Sequence, residues 1–428
     1  MEIRHMSRAL GHPNYRLFFF GQGVSLLGTW MQNIAMSWLV YRLTHSVYAL
    51  GLIGFADKAP VFLVTPFAGV FLDRYDRYRT VIWAQAIMMV QAFILGLLAA
   101  SGRIEVWHVG VLAALLGFAN AVDIPARQSL VIEMLEDKAD LGNAIAMNSI
   151  IFNGARLIGP TLAGFLLGYV SEGACFFLNA ASFLFVLCAL AMMKLKPRVI
   201  KKSGTHPLHD LKEGWKYAFG FLPTRAILTL LAVTSLIGMP FTVLMPAVAT
   251  QSLGGGARTL GLLMAATGAG ALIAALSLAT RKNVVNLERW IPLSSGLFGL
   301  SLIAFAFSRN LALSLILLVI GGFGMMAHMA ASNTILQTIV DDSKRGRVMS
   351  LYVLSITGMA PFGSYFAGAM ASRFGVSVTL LLGGVGCCAA ALLFLRQLDA
   401  MRKHIYPVYG RLGIVSPEEE VRFRDSFL

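Results

Sequence analysis

Apolar and polar positions alternate along this chain in long blocks. Twelve apolar runs, near 17–41, 47–71, 80–101, 104–126, 142–170, 173–194, 225–251, 259–280, 290–308, 311–334, 347–371 and 375–395, are separated by connections that hold most of the charge. At 1.5 Å per residue, about 20 apolar residues cross a ~30 Å hydrocarbon core, so the runs have the scale of bilayer spans. Backbone in lipid must satisfy its own hydrogen bonds, which makes each run a helix. The expected fold class is therefore an all-α membrane protein of twelve transmembrane helices in two six-helix bundles. The longest internal connection divides the runs six and six. The expected domains are an N-terminal bundle at 1–195, a linker at 196–224, a C-terminal bundle at 225–396 and a tail at 397–428. Within the linker, Leu208, Leu211, Trp215 and Phe219 recur at helical spacing among Asp210, Lys212, Glu213 and Lys216, as in an amphipathic helix lying on a leaflet.

Composition agrees with the pattern: 57% of residues are hydrophobic, 13% are charged, and the mean hydropathy is +0.72. A net charge of +14 raises nucleic acid as a partner, yet the basic residues form no patch interleaved with aromatics. Of 35 Lys and Arg residues, 28 lie in one alternating set of connections together with both termini, and five lie in the opposite set. That asymmetry places both termini in the cytoplasm and requires an even span count, with the bilayer and not nucleic acid as the partner. The N-terminal apolar run continues to Tyr41, too long for a cleavable signal. Cys175, Cys188, Cys387 and Cys388 lie inside apolar runs with no His or carboxylate at ligand spacing, so packing is expected and metal or disulfide is not. The sequence holds no phosphate-binding loop, no H-E-x-x-H and no partnered nucleophile, so neither an enzyme nor a cofactor is expected.

The halves repeat each other. Leu50-Gly51 recurs as Leu260-Gly261, Gly142–Asn148 is matched by Gly346–Tyr352, and Ala163-Gly164 by Ala367-Gly368. Two six-span repeats around a midplane site are a transporter architecture. The run Gly69-Val-Phe-Leu-Asp73-Arg74-Tyr-Asp76-Arg77 resembles the loop signature of the major facilitator superfamily, with Asp76 where Gly is usual. Asp123-Ile-Pro-Ala-Arg127, Gly159-Pro160 with Gly164, and Arg345-Gly346-Arg347 narrow the resemblance to the branch that holds siderophore exporters and macrolide efflux proteins. That resemblance implies alternating access and a secondary active exporter of a small organic substrate, such as a siderophore or drug. Protons are the coupling ion it implies, and a monomer the expected state. An uptake symporter or lipid flippase on the same scaffold, and a membrane sensor or assembly factor that does not transport, are the alternatives.

The resemblance also implies a cytoplasmic latch, in which Asp73 meets the start of the eleventh helix. Gly69, Arg74, Arg77, Asp123, Arg127, Gly346 and Arg347 support it; a solvated loop that only fixes topology is the alternative. Gly159, Pro160 and Gly164 resemble the fifth-helix signature of antiporters, or serve plain helix packing. Asp57 and Lys58 precede Gly69 by roughly 18 and 16 Å of helix, near mid-membrane, and Arg156 is similarly deep. Ionisable groups there are transport candidates, with a static ion pair of Asp57 with Arg156 or another residue as the alternative. Adjacent residues lie about 100° apart on a helix, so Asp57 and Lys58 are expected to face different partners. Superfamily drug antiporters often carry an Arg midway along the fourth helix, but Leu115–Asn120 holds no base, so Asp57 is the first choice for proton carrier. His328, Gln22, Trp30, Gln32 and Asn33 complete the cavity candidates, each also able to serve as an interhelical contact.

Overall fold

The computed structural model describes residues 8–195, 215–281 and 283–415, apart from the side chains of 65–74, Lys138, Asp342 and Ser343. Leu208, Leu211, Asp210, Lys212 and Glu213 of the expected amphipathic helix lie outside the described residues. Twelve helices follow the twelve runs, and no strand occurs among the described residues. They are α1 (Pro13–Thr44), α2 (Val47–Arg74), α3 (Arg77–Ala100), α4 (Val106–Met134), α5 (Leu141–Leu166), α6 (Glu172–Met192), α7 (Leu222–Ser252), α8 (Ala257–Ala279), α9 (Leu287–Phe307), α10 (Leu311–Ile339), α11 (342–374) and α12 (Val376–Arg411). Among the described residues ten are long and apolar enough to cross a membrane. The other two are α1, which carries Gln22, Gln32 and Asn33, and α11, which begins in a charged turn and is interrupted.

Local chemistry sets the ends. Pro13 occupies the first turn of α1, where a missing N–H is harmless. The Asp76 side chain accepts from the Arg79 N–H at 2.8 Å and caps α3, which explains an Asp where the loop signature usually has Gly. Gly375, at φ 88°, turns α11 into α12 in one residue, a conformation that excludes a Cβ. Three π-helical turns, Thr234–Gly238, Val248–Ser252 and Leu354–Gly358, interrupt α7 and α11. The Ser235 hydroxyl of the first donates to the Ile356 carbonyl of the third.

The chain forms two compact units. The first joins 1–204 with 243–265 and 364–372; the second comprises 205–242, 266–363 and 373–428. In the first, α1 packs on α5 and α6, α3 on α4 and α6, and α2 on α4. In the second, α7 packs on α12, and α9 on α10 and α12. The pairs α1–α6, α3–α4 and α3–α6 are thus matched by α7–α12, α9–α10 and α9–α12, the structural form of the repeat. The unit boundaries differ from the six-and-six division, because parts of α7, α8 and α11 pack with the first unit. There Gly51 meets Gly368 and Gly164 meets Gly261. A Cβ at Gly51 would lie 2.8 Å from the Gly368 Cα, and one at Gly164 would lie 2.6 Å from the Gly261 Cα.

The last helix differs from expectation. It runs on to Arg411, well past the expected end near 395, so the first part of the expected tail is helical. Leu398, Met401, Ile405 and Tyr409 recur every three or four residues and are buried against Ala218, Ile227, Leu231 and Ile339. Among them Arg402 donates to Glu288 at 2.8 Å and to Asn286 at 2.7 Å, with both charged residues buried.

Candidate functional site

Pro160 organises the candidate residues of the first unit. It cannot donate to the Arg156 carbonyl one turn earlier, which loosens α5 at that point. Gly159 beside it brings α5 against α1, where a Cβ would stand 2.5 Å from the Trp30 Cβ and 3.1 Å from the Leu27 carbonyl. The Arg156 guanidinium consequently lies 5.9 Å from the Trp30 ring centroid, and Phe152 meets the same ring edge-on at 6.0 Å. Arg156 is half-buried and forms no ion pair among the described residues. The static Asp57–Arg156 pair therefore does not form. Asp57 accepts instead from its neighbour Lys58 at 2.5 Å, so the expectation that the two face different partners is corrected. The flexible Lys58 stem spans the angle between adjacent helical positions. Asp57 is buried and Lys58 is largely exposed. Gly117 of α4 fits against the Asp57 main-chain carbonyl, fixing the depth of that turn.

The α1 candidates part company. Gln32 is buried, donates to Gln91 of α3 at 3.1 Å and accepts from Asn179 of α6 at 2.7 Å. Both ends of its amide are engaged, so the expectation that Gln32 lines a cavity gives way to an interhelical tie. Gln22 is buried with its carbonyl oxygen unpartnered among the described residues, and Asn33 and Trp30 are half-buried. In the second unit, His328 of α10 is fully buried against the Ile291 main chain of α9.

Latch candidates cluster at one end of the first unit. Asp123 is 1% exposed; it accepts from Gln85 of α3 at 2.9 Å and from Arg127, one turn along its own helix, at 3.1 Å. Arg77 pairs with Glu133 of α4 at 3.3 Å. The side chains of Asp73 and Arg74, and Gly69, fall in the segment whose side chains lie outside those described. At the same end Tyr15 donates to Ala144 and Asn148 of α5, at 2.8 and 3.0 Å. His12 accepts from the Glu136 N–H on Nδ1, which leaves Nε2 to donate to Asp140 at 3.0 Å. In the second unit α11 begins at Asp342, five residues earlier than Arg347, where its start is expected. Gly346 is exposed in the first turns of α11. Arg347 is half-buried.

Gln85, Gln91, Asn179 and Glu133 join these contacts without a mark in the sequence that names their partners. A lone amide or carboxylate in an apolar run signals a buried partner without saying which. The Asp76 cap was legible, as an Asp just before an apolar helix.

At the opposite end of the first unit, Arg42 grips Glu172 through Nε and Nη2, at 2.7 and 3.1 Å, tying α1 to α6. Gln251 donates to the Tyr41 hydroxyl at 2.8 Å, and Tyr365 stacks edge-on against Tyr48 and Phe55, at 6.1 and 6.2 Å. These contacts accompany the two glycine pairs.

Known proteins give the family. Residues 8–405 match the model of the transmembrane secretion effector family. The chain is 26% identical over 387 residues to the staphyloferrin A transporter of Staphylococcus aureus, covering 89% of this chain and 95% of that one. It is 24% identical over 404 residues to the multidrug efflux pump Tap of Mycolicibacterium fortuitum, covering 90% and 97%. To the enterobactin exporter EntS of Citrobacter koseri it is 23% identical over 407 residues, covering 95% and 96%. In fold it is similar to the transporter PepTSo, at a TM-score of 0.69 and 13% identity over 92% of this chain and 99% of that one. It is also similar to a bacterial homologue of the lysosomal transporter Spinster, at 0.66 and 14% over 94% and 98%. The chain belongs to the transmembrane secretion effector family of the major facilitator superfamily, and is a multi-pass membrane transporter.

Proposed function

We propose that the protein is a secondary active exporter that carries a bulky amphiphilic organic molecule, of the siderophore or drug class, out across the cytoplasmic membrane of a bacterium in exchange for protons. Arg156 carries the reading. A cation inside a membrane span costs about 2.5–3.5 kcal/mol on insertion scales unless something offsets it. Here no carboxylate neutralises it among the described residues, and the aromatic face beside it is Trp30, whose ring meets Phe152 edge-on. Such a group suits a substrate with negative charge and flat apolar surface. Asp57, paired with Lys58, is the carrier proposed to exchange a proton: protonation releases Lys58, and ionisation restores the pair. Relatives named as a siderophore exporter and a drug efflux pump support outward transport of organic molecules. We place both termini in the cytoplasm on the charge asymmetry of the connections, and expect a monomer.

Purified protein in proteoliposomes, with an imposed pH gradient and a panel of siderophores and dyes, tests this. Outward substrate flux against inward proton flow is expected; substrate entering with protons would make the protein a symporter. Arg156→Gln should lower kcat/KM by about tenfold or more, equivalent to roughly 1.4 kcal/mol of lost binding. Asp57→Asn should flatten the pH dependence of flux, and an unchanged profile would reduce the Asp57–Lys58 pair to structure.

A further inference from the structure

A cavity of about 290 Å³ opens at the surface of the second unit, between α7 and α12. Ala226, Leu230, Val233, Ala390, Leu393 and Phe394 form its apolar walls, and Arg225 and Gln397 stand at one end. The ends of the groove differ in depth. Arg225 is in the first turn of α7, whereas Val233 lies eight residues, ~12 Å, further along. On α12, Ala390 and Gln397 lie ~21 and ~31 Å from the start of the helix, so Gln397 reaches the boundary of a ~30 Å core and Ala390 lies inside it. The polar end therefore sits where headgroups lie and the apolar end where chains lie. Arg225 is exposed and forms no ion pair among the described residues. Just ahead of α7, Trp215 and Phe219 stack at 4.9 Å and stay 49% and 37% exposed, an aromatic pair of the kind that marks a membrane interface.

We infer that this groove binds an anionic phospholipid, with the headgroup phosphate on Arg225 and part of one acyl chain along Leu230, Val233, Ala390 and Phe394. The volume suits a segment of one chain and not a whole lipid, so the second chain stays in the bilayer. A guanidinium matches a phosphate in charge and in hydrogen-bonding geometry, and a zwitterionic headgroup adds a cation that opposes it. Basic pockets between membrane helices take anionic headgroups by this chemistry.

Native mass spectrometry of the full-length protein with added palmitoyl-oleoyl-phosphatidylglycerol or palmitoyl-oleoyl-phosphatidylcholine tests the site. Wild type is expected to retain one phosphatidylglycerol with about fivefold preference over phosphatidylcholine, the ratio given by ~1 kcal/mol for one cation at the membrane surface. Arg225→Gln should abolish the preference. Arg396→Gln, which removes the same charge at the same depth from a residue that does not line the groove, should retain it. Ala390→Phe, which fills the apolar end, should lose the bound lipid. Equal loss in the Arg225 and Arg396 variants would replace the site with diffuse electrostatics. Equal retention of the two lipids by wild type would overturn the headgroup assignment. No retained lipid, as when the linker of this chain fills the groove, would overturn the proposal outright. The two arginine variants change exposed residues, so their comparison does not depend on how the packing variant folds.

Discussion

Gln32 shows how much one side chain's neighbours decide. From sequence it is a polar residue in an apolar helix, which fits a substrate contact and a helix tie equally. Its two bonds, to Gln91 and Asn179, make it the junction of α1, α3 and α6. Gln32→Leu should therefore destabilise the protein by about 1–3 kcal/mol, because it strands two buried amides. Thermal unfolding in detergent reads this, and flux per folded molecule should be unchanged. A flux loss at unchanged melting temperature would return Gln32 to the substrate path. Asp57, Lys58 and Arg156 were legible as candidates because charge in a span needs a reason. Their pairing was not, because residue spacing describes where Cβ atoms point, and a lysine stem reaches beyond that direction.

The helices themselves were legible, since apolar length and charged punctuation are strong signals in a membrane chain. The π-turns were not: π-helical hydrogen bonding leaves no simple trace in residue type. Glycines were half legible. Gly51, Gly164, Gly261 and Gly368 stood out as repeats of one another, but sequence could not show that Gly51 meets Gly368 and Gly164 meets Gly261. A methyl group at any of these contacts has no room, and overpacking of this kind costs about 1–3 kcal/mol. Gly51→Ala or Gly368→Ala should therefore shift the protein toward separation of these helices. Ser364 is buried beside Gly54. In a background without the four native cysteines, Ser364→Cys should react faster with a membrane-impermeant maleimide when Gly51→Ala is added. Unchanged labelling would show that the contact stays shut in both.

At the scale of the whole molecule, the two compact units and the tail set what the chain can withstand. In the stretch 398–409, Arg402, Lys403 and His404 interrupt the apolar spacing. Its buried arginine belongs to the packing, matched by Glu288 at the start of α9. Arg402→Ala should destabilise the protein by about 3–5 kcal/mol, since Glu288 stays buried without its partner. The double variant Arg402→Met with Glu288→Leu should recover most of that loss in thermal unfolding. Failure to recover would mean that the pair stabilises beyond its charge.

The glycine contacts carry one more consequence. The second helix of the first repeat meets the fifth helix of the second, and the fifth helix of the first meets the second helix of the second. This reciprocity is that of an isologous interface, in which position i touches j and j touches i. The two contacts have the form of a dimer interface between like six-helix halves, here joined in one polypeptide. Each contact can therefore mutate independently of its mate, a freedom that a homodimer never has.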